Sequence, residues 1–170
     1  EYVMVADLGI DQVKIYRFNE HDEQLTLVDA LRCERESAPK CFRFSSDGRF
    51  IYLLHELKNV IDVYTYENGK RQPKIEKIQS IPTAGEKRSQ LTAACSMRFS
   101  PDEKHLFCGN AGDKRVRLYN RDENTGLLEM ICSLPISGDY PTDLALFQDD
   151  TPQASLNSEP GSLYFLPNDY

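Results

Sequence analysis

Hydrophobic and polar residues alternate along most of this chain with a period of two. Val13 and Ile15 alternate with Lys14 and Tyr16, and residues 116–119 repeat the same order. This period is typical of a half-buried β-strand, and the alternating runs are bounded by Asp-Gly, Asn-Gly or Pro, which favour turns. The pattern predicts strands at 40–45, 50–55, 60–66 and 74–79, then at 94–99, 105–110, 115–120 and 127–132. No segment has the spacing of an amphipathic helix.

The alternating runs form an internal repeat. An aromatic residue ends the same kind of run four times, at Tyr16, Tyr64, Tyr119 and Phe165, in steps of 48, 55 and 46 residues. A second marker, a phenylalanine followed by a polar turn, recurs at Phe44, Phe99 and Phe147 in steps of 55 and 48 residues. A repeat of about 40–50 residues with four antiparallel strands is the signature of a propeller blade. The sequence therefore predicts an all-β fold, a β-propeller of four-stranded antiparallel blades.

The repeats amount to about three and a half blades, which form a single propeller domain over residues 1–170. The blade segments lie at approximately 1–36, 37–90, 91–138 and 139–170, so that the first begins on a second strand and the last ends on a third strand, Leu163–Phe165. Closed propellers typically have about 4–8 blades, and each blade buries its faces against its neighbours. We therefore expect the remainder of the ring, in a longer chain, to close the propeller. A small closed ring or an assembly of two arcs is the alternative.

The charge balance argues against two classes of partner. Lys and Arg number 20 and Asp and Glu 27, which gives a formal net charge of −7. An acidic chain lacks the electrostatic footprint needed to follow a phosphate backbone or an anionic membrane surface. No stretch approaches the ~18 consecutive apolar residues of a membrane-spanning helix. The sequence predicts neither nucleic acid nor membrane as a partner.

The cysteines and histidines show no metal-binding or disulfide pattern. The five cysteines form no CxxC pair, and the three histidines are equally scattered. A disulfide framework or a zinc site requires closer, paired spacing. We therefore expect small free thiols in a reducing, cytoplasmic environment and no metal or organic cofactor.

A series of short motifs is ordered along nearly the whole chain. They are Val5–Gly9, Ser37–Phe44, Ser46–Phe50, His55–Leu57, Phe99–Asp102, Thr125–Leu127 and Asp139–Pro141. The chain has no tryptophan, and so it lacks the WD dipeptide of another propeller class. In order and spacing the motifs resemble the lactonase-type seven-bladed propellers. That group includes one class of 6-phosphogluconolactonase and the carboxymuconate cycloisomerase of fungi.

The predicted turn at 46–48 locates a candidate site. Lys40 lies eight residues before Gly48 and Glu56 eight residues after it, and residues equidistant from a turn face each other in an antiparallel hairpin. Lys40 and Glu56 should therefore meet where the innermost strand begins, at the funnel into the central channel. The resemblance implies a basic residue and a glutamate with catalytic roles at these two positions. The alternative is an ordinary cross-strand ion pair, which contributes about 0.2–1 kcal/mol.

Further candidates lie at the same end of the predicted blades. Equivalent last residues of the second strands, which should surround the same opening, are Asp7, His55, Asn110 and Asn157. Substrate binding by Asp7, His55 and Asn110 is one interpretation, and a common structural role is the other. Arg43, in the innermost strand, is a further candidate for substrate binding.

Three positions depart from the pattern that the resemblance implies. Family members often have a histidine where this chain has Cys41, and an arginine near Ala111 and Thr142. Symmetry about the turns pairs Cys95 with Ala111 and Thr142 with Ser158. The other blades are therefore not expected to repeat the ion pair.

The resemblance implies an enzyme that hydrolyses a small anionic sugar lactone such as 6-phosphogluconolactone. Glu56 is the candidate base or acid, and Lys40 the candidate anchor for the anionic group. A cycloisomerase acting on a muconate-type lactone requires the same groups. A propeller that binds without catalysing is the alternative from another class, because one fold hosts many functions.

Overall fold

The computed structural model describes residues 1–85, 92–138, 140–146 and 163–165, and within them the chain is almost entirely antiparallel β-structure. The strands are β1 (Tyr2–Asp7), β2 (Gln12–Asn19), β3 (Gln24–Arg32), β4 (Pro39–Phe44), β5 (Phe50–His55), β6 (Val60–Glu67), β7 (Lys74–Pro82), β8 (Ala93–Phe99), β9 (His105–Ala111), β10 (Arg115–Arg121), β11 (Leu128–Pro135), β12 (Leu144–Leu146) and β13 (Leu163–Phe165). A single 3₁₀ turn, Leu8–Ile10, is the helical element of this part of the chain. Among the described residues, no helix has the length and apolar character needed to cross a bilayer.

Two complete blades form the middle of the chain. Blade 2 has the strand order β4-β5-β6-β7, and blade 3 the order β8-β9-β10-β11. Their eight strands lie within three residues of the predicted bounds, because a strict period of two fixes where a strand can lie between turn residues. The all-β propeller architecture predicted from the sequence is confirmed.

The first and last sheets are smaller. Blade 1 has the order β1-β2-β3, as expected for a blade that begins on its second strand. The last sheet pairs β12 with β13. The inner strands β4, β8 and β12 contact one another in sequence, as the innermost strands of successive blades do.

Strand β13 differs from the sequence prediction. It pairs directly with β12, Leu144 opposite Phe165, so it has the second place in its sheet and not the third. Phe165 is therefore not the counterpart of Tyr119. The physical reason lies in composition: the apolar and aromatic run at 163–165 has a high strand propensity. The sequence analysis had predicted the second strand at 154–159. That segment, with Phe147 and Asn157, lies outside the described residues.

Two apolar layers hold neighbouring blades together. The layer between blades 2 and 3 is made of Phe50, Tyr52, Leu54, Ile61, Val63, Ala94, Met97, Leu106, Cys108, Tyr119 and Leu128. The layer between blades 1 and 2 contains Val13, Ile51, Leu53 and Tyr64. Strand β5 supplies both layers from its two faces, which is why all six of its residues are buried. Burial of such side chains, about 1.5–3 kcal/mol each, is the main force that stacks the blades.

Candidate active site

The loop before β4 is held by a carboxylate from blade 1. The Asp11 side chain accepts hydrogen bonds from Glu36 N at 2.7 Å and from Ala38 N at 2.8 Å. The hydrogen bond from Ala38 N is the main reason that the pKa of Asp11 lies below its usual value. Burial acts in the opposite direction and is the smaller effect. Ala38 has a positive φ of 55°, a conformation that is costly without such support. Asp11 therefore fixes the direction in which β4 starts.

Lys40 is the extra residue of a β-bulge. In the β4–β5 ladder, Pro39 pairs with His55 and Cys41 with Leu54, so that Lys40 has no partner in the ladder. The prediction from symmetry about Gly48 was wrong in register, because the hairpin places Phe44 opposite Ile51 and is centred half a residue earlier. A bulge turns the inserted side chain out of the regular alternation. Lys40 is thereby directed away from the packed faces of blade 2.

The contact predicted between Lys40 and Glu56 is present. Lys40 Nζ lies 2.9 Å from Glu56 Oε2, and the two side chains are 35% and 27% exposed. The backbone of Glu56 is fixed on both sides, since its N–H donates to Ala38 O at 2.8 Å and its carbonyl accepts from Ala94 N at 3.1 Å. A partly exposed carboxylate held beside an ammonium group is able to activate a water molecule and to exchange a proton with a bound ligand.

Blade 3 repeats the bulge with different chemistry. Ala94 pairs with Asn110 and Ser96 with Gly109, so that Cys95 is the inserted residue. The predicted pairing of Cys95 with Ala111 was wrong, because the bulge shifts the register and Ala111 faces Ala93. The other predicted pairing, Thr142 with Ser158, lies partly outside the described residues. The blade 3 counterpart of Lys40 is thus a buried thiol.

His55 and Asn110 are buried and not open to solvent. His55 is 1% exposed, and its Nε2 lies 3.2 Å from Asp62 Oδ2. Asn110 is fully buried, and its Nδ2 donates to Asn59 Oδ1 at 2.7 Å. These contacts connect strands and blades, in agreement with the structural interpretation of the two residues.

Asp7 is placed differently from its two counterparts. Its side chain is 36% exposed, and its Oδ2 lies 3.5 Å from Lys14 Nζ across the β1–β2 hairpin. Among the described residues, no hydrogen bond or ion pair joins Asp7 to Lys40 or Glu56. Binding of substrate by Asp7, His55 and Asn110 stays a prediction.

Arg43 lies on the same inner strand as Lys40, and blade 3 has a counterpart that the sequence analysis did not include. Arg43 Nη1 donates to Phe42 O at 2.8 Å. Arg98, 55 residues later, donates through Nη1 to Met97 O at 2.9 Å and through Nη2 to Asp143 Oδ2 at 2.9 Å. The step of 55 residues between Phe44 and Phe99 was the signal that could have identified Arg98.

Cys41 and Cys95 adjoin this group of charges. Burial raises the pKa of the Cys41 thiol, and the nearby cations Arg43, Arg98 and Lys40 oppose that increase. Burial raises the pKa of Cys95 to about 11, with Lys40 opposing it. Both thiols are therefore neutral at neutral pH. All five cysteines are free, and no three His, Cys, Asp or Glu side chains of the described part are arranged to hold a metal ion.

A polar depression of about 360 Å³ lies at the opposite end of the blades, beside the turn of the β4–β5 hairpin. It is lined by Ser46, Asp47, Arg49, Pro101, Asp102, Glu103, Arg121, Glu123 and Asn124. The polar groups that line it are bonded to one another. Arg49 Nε donates to Asp47 at 2.7 Å, and the Glu103 carboxylate accepts a hydrogen bond from Ser46 N at 2.9 Å. The contact between Ser46 and Glu103 joins blades 2 and 3.

Comparison with known proteins agrees with the propeller architecture. Residues 1–159 match the family described as lactonase, 7-bladed β-propeller. The chain belongs to this lactonase family. A curated relative, an uncharacterized protein of Staphylococcus epidermidis, is 31% identical over 150 residues, which are 88% of this chain and 42% of the relative. The chain therefore spans less than half the length of this relative.

Two solved structures superpose well on this chain. A protein from Lactobacillus plantarum gives a TM-score of 0.78 with 25% identity, over 86% of this chain and 42% of that one. The periplasmic gluconolactonase of Pseudomonas aeruginosa gives a TM-score of 0.78 with 26% identity, over 85% of this chain and 40% of that one.

Proposed function

We propose that the protein containing this chain is a lactone hydrolase whose substrate is a small anionic sugar lactone such as 6-phosphogluconolactone. The observation that carries the proposal is the Lys40–Glu56 ion pair, 2.9 Å long and held at the start of an inner strand by a bulge. Membership of the lactonase family and the structural similarity to a gluconolactonase support it. The substrate and the activity of the whole protein are parts of the proposal.

The ion pair suggests a division of roles. Glu56 takes a proton from a water molecule as the oxygen of that water attacks the lactone carbonyl carbon. The ammonium of Lys40 stabilises the negative charge that develops on the carbonyl oxygen. When the intermediate collapses, the ring C–O bond breaks and the proton passes from Glu56 to the departing ring oxygen. No cofactor takes part in these steps.

The test measures hydrolysis of 6-phosphogluconolactone by the complete protein against the uncatalysed background. Glu56→Gln keeps the size of the side chain and removes the base, so we expect turnover to fall by roughly 10²–10⁴-fold. Glu129→Gln, which makes the same chemical change at an exposed position of β11, should leave turnover unchanged. A Glu56→Gln protein with wild-type turnover would show that this carboxylate is structural.

A binding propeller without catalysis is the second candidate, and the residues at two positions favour it. Cys41 and Cys95 place neutral thiols beside the ion pair, where charged or imidazole groups would assist catalysis. A folded complete protein that accelerates hydrolysis of neither 6-phosphogluconolactone nor glucono-δ-lactone would support binding alone. Conversion of a muconate-type lactone, without hydrolysis of the sugar lactones, would identify a cycloisomerase.

A further inference from the structure

An arginine of blade 3 and a carboxylate of the next blade form an ion pair beside the inner strands. Arg98 of β8 bonds Asp143 Oδ2 at 2.9 Å, and the Ser96 hydroxyl donates to Asp143 Oδ1. Burial would raise the pKa of Asp143, but the bond from Ser96, the Leu144 N–H and the nearby arginines lower it. Asp143 is therefore an anion that the guanidinium of the preceding blade holds.

In the equivalent group of blade 2, the arginine is present and the carboxylate position holds a thiol. The charge of Arg43 contributes to the low pKa of Asp143, but no hydrogen bond or ion pair joins the two side chains among the described residues. The repeat places Arg43 at the position of Arg98, Cys41 at that of Ser96, and Cys95 at that of Asp143. The arginines have equivalent conformations, since each donates through Nη1 to the carbonyl of the preceding residue, at 2.8 and 2.9 Å. Arg98 binds a carboxylate from the next blade, and the residue at the equivalent position for Arg43 is the thiol Cys95.

Cys95 does not take the place of that carboxylate. Its Sγ packs toward β9, only 2.8 Å from the position that a Cβ would have on Gly109. Its thiol is neutral at neutral pH, as described above. Lys40 already has Glu56 as its counter-ion. Within the described residues, the bond to Phe42 O is the one hydrogen bond of the Arg43 side chain, so its other N–H donors are available to a ligand.

We propose that Arg43 binds the anionic group of the substrate, a phosphate or carboxylate carried by the lactone, at the position that Asp143 occupies beside Arg98. The inference rests on the proposed function and assigns the anion to Arg43, which leaves Lys40 to act with Glu56. A guanidinium suits this role because it donates two parallel hydrogen bonds to an oxyanion. Arg43 is then the residue that selects charged over neutral lactones.

The test compares two lactones with the complete protein. Arg43→Gln should lower kcat/KM for 6-phosphogluconolactone by about tenfold or more, mainly through KM, because a charge-assisted contact is lost. Hydrolysis of the uncharged glucono-δ-lactone should change less than twofold. Arg49→Gln, at the turn end, is the control of equal charge and should change neither. Equal losses on both lactones, or no loss on the charged one, would overturn the proposal.

A second variant imitates the blade 3 pair. Cys95→Asp should supply a carboxylate for Arg43 and thereby weaken binding of the charged substrate, as Arg43→Gln does. Cys95→Ser should leave that binding unchanged. Thermal unfolding of each variant shows whether it is folded. If Cys95→Asp does not fold, the Arg43→Gln comparison alone decides.

Direct binding separates this proposal from the hydrolase proposal. Inorganic phosphate and acetate are titrated calorimetrically into the wild-type and Arg43→Gln proteins, which distinguishes a phosphate site from a carboxylate site. Binding of either anion that Arg43→Gln abolishes supports the site, even if the wild type hydrolyses no lactone and the hydrolase proposal fails. Binding of neither anion, or binding that Arg43→Gln leaves unchanged, would overturn the site whatever the activity.

Discussion

Asp62 is a buried carboxylate inside blade 2 that contacts several polar side chains. Its side chain is 7% exposed, and its Oδ2 lies 3.2 Å from His55 Nε2 and 3.2 Å from Lys77 Nζ. Burial raises the pKa of Asp62, but hydrogen bonds from His55, Ser80 and Lys77 outweigh it and bring the pKa to about 2. A buried anion with several donors stabilises the fold only while it is ionised.

We expect Asp62 to stabilise the protein less and less as the pH falls from about 4 to 2. Its pKa is lower in the folded than in the unfolded chain, so its contribution is fully present above the unfolded value, near 3.9, and lost through the folded value. The contribution at neutral pH is about 2–3 kcal/mol. Asp62→Asn should therefore reduce the free energy of unfolding at pH 7, and the difference from wild type should shrink toward pH 2.

Denaturant unfolding of the complete protein at several pH values measures this difference. Glu20→Gln, which removes an exposed carboxylate in the turn between β2 and β3, is the control of equal charge. A difference between wild type and Asp62→Asn that stays constant from pH 7 to pH 2 would contradict the prediction.

At the level of strands, the sequence was informative because the signals were local. Alternation and turn residues located β4–β11, and the hairpin at 46–48 brought Lys40 to Glu56. The bulges at Lys40 and Cys95 were not foreseen, because one inserted residue leaves the alternation of the flanking positions intact and shifts only the register. The contact of Arg98 with Asp143 joins different blades, so no local pattern contains it. Burial of His55 and Asn110 depends in the same way on neighbouring blades.

The hairpin turns show how neighbouring blades are packed at the turn end. Gly126, before β11, has a φ of 75°, and a Cβ there would lie 2.3 Å from Phe50 Cδ1. Its carbonyl accepts the Tyr52 hydroxyl at 2.8 Å. Gly48, in the β4–β5 turn, has a similar φ of 68°, and no heavy atom lies within 4 Å of the corresponding Cβ. The two glycines therefore share a left-handed backbone conformation, which glycine adopts without strain, and differ in packing.

Gly126→Ala should destabilise the complete protein more than Gly48→Ala does. Both substitutions force a side chain into the left-handed region, at about 1–2 kcal/mol. Only Gly126→Ala also displaces the Phe50 ring, which adds about 1–3 kcal/mol for overpacking. Urea unfolding of the two variants measures the difference directly. Equal losses would mean that Phe50 moves aside at no cost.

At the scale of the whole molecule, no described residue covers one face of blade 1. On β1, Val3 and Val5 are 37% and 45% exposed, and on β3 Leu25 and Leu27 are 53% and 55% exposed. The other face of the blade packs on blade 2 through residues such as Met4 and Ala6. In a closed ring each blade lies between two others, and this chain spans 42% of the length of its curated relative. We infer that a further blade of the complete protein covers Val3 and Val5.

A charge placed on that face should therefore be costly in the complete protein. Val5→Asp would lose the burial of a valine, about 1.5–3 kcal/mol, and would bury a carboxylate, so we expect a loss of about 3 kcal/mol or more in unfolding free energy. Met130→Asp is the matched control. Met130 is 51% exposed and pairs with Tyr119, on the side where blade 2 is already in place, so its exposure should persist in the closed ring. Denaturant unfolding compares the two, and equal, small losses would mean that the β1 face stays open to solvent in the complete protein.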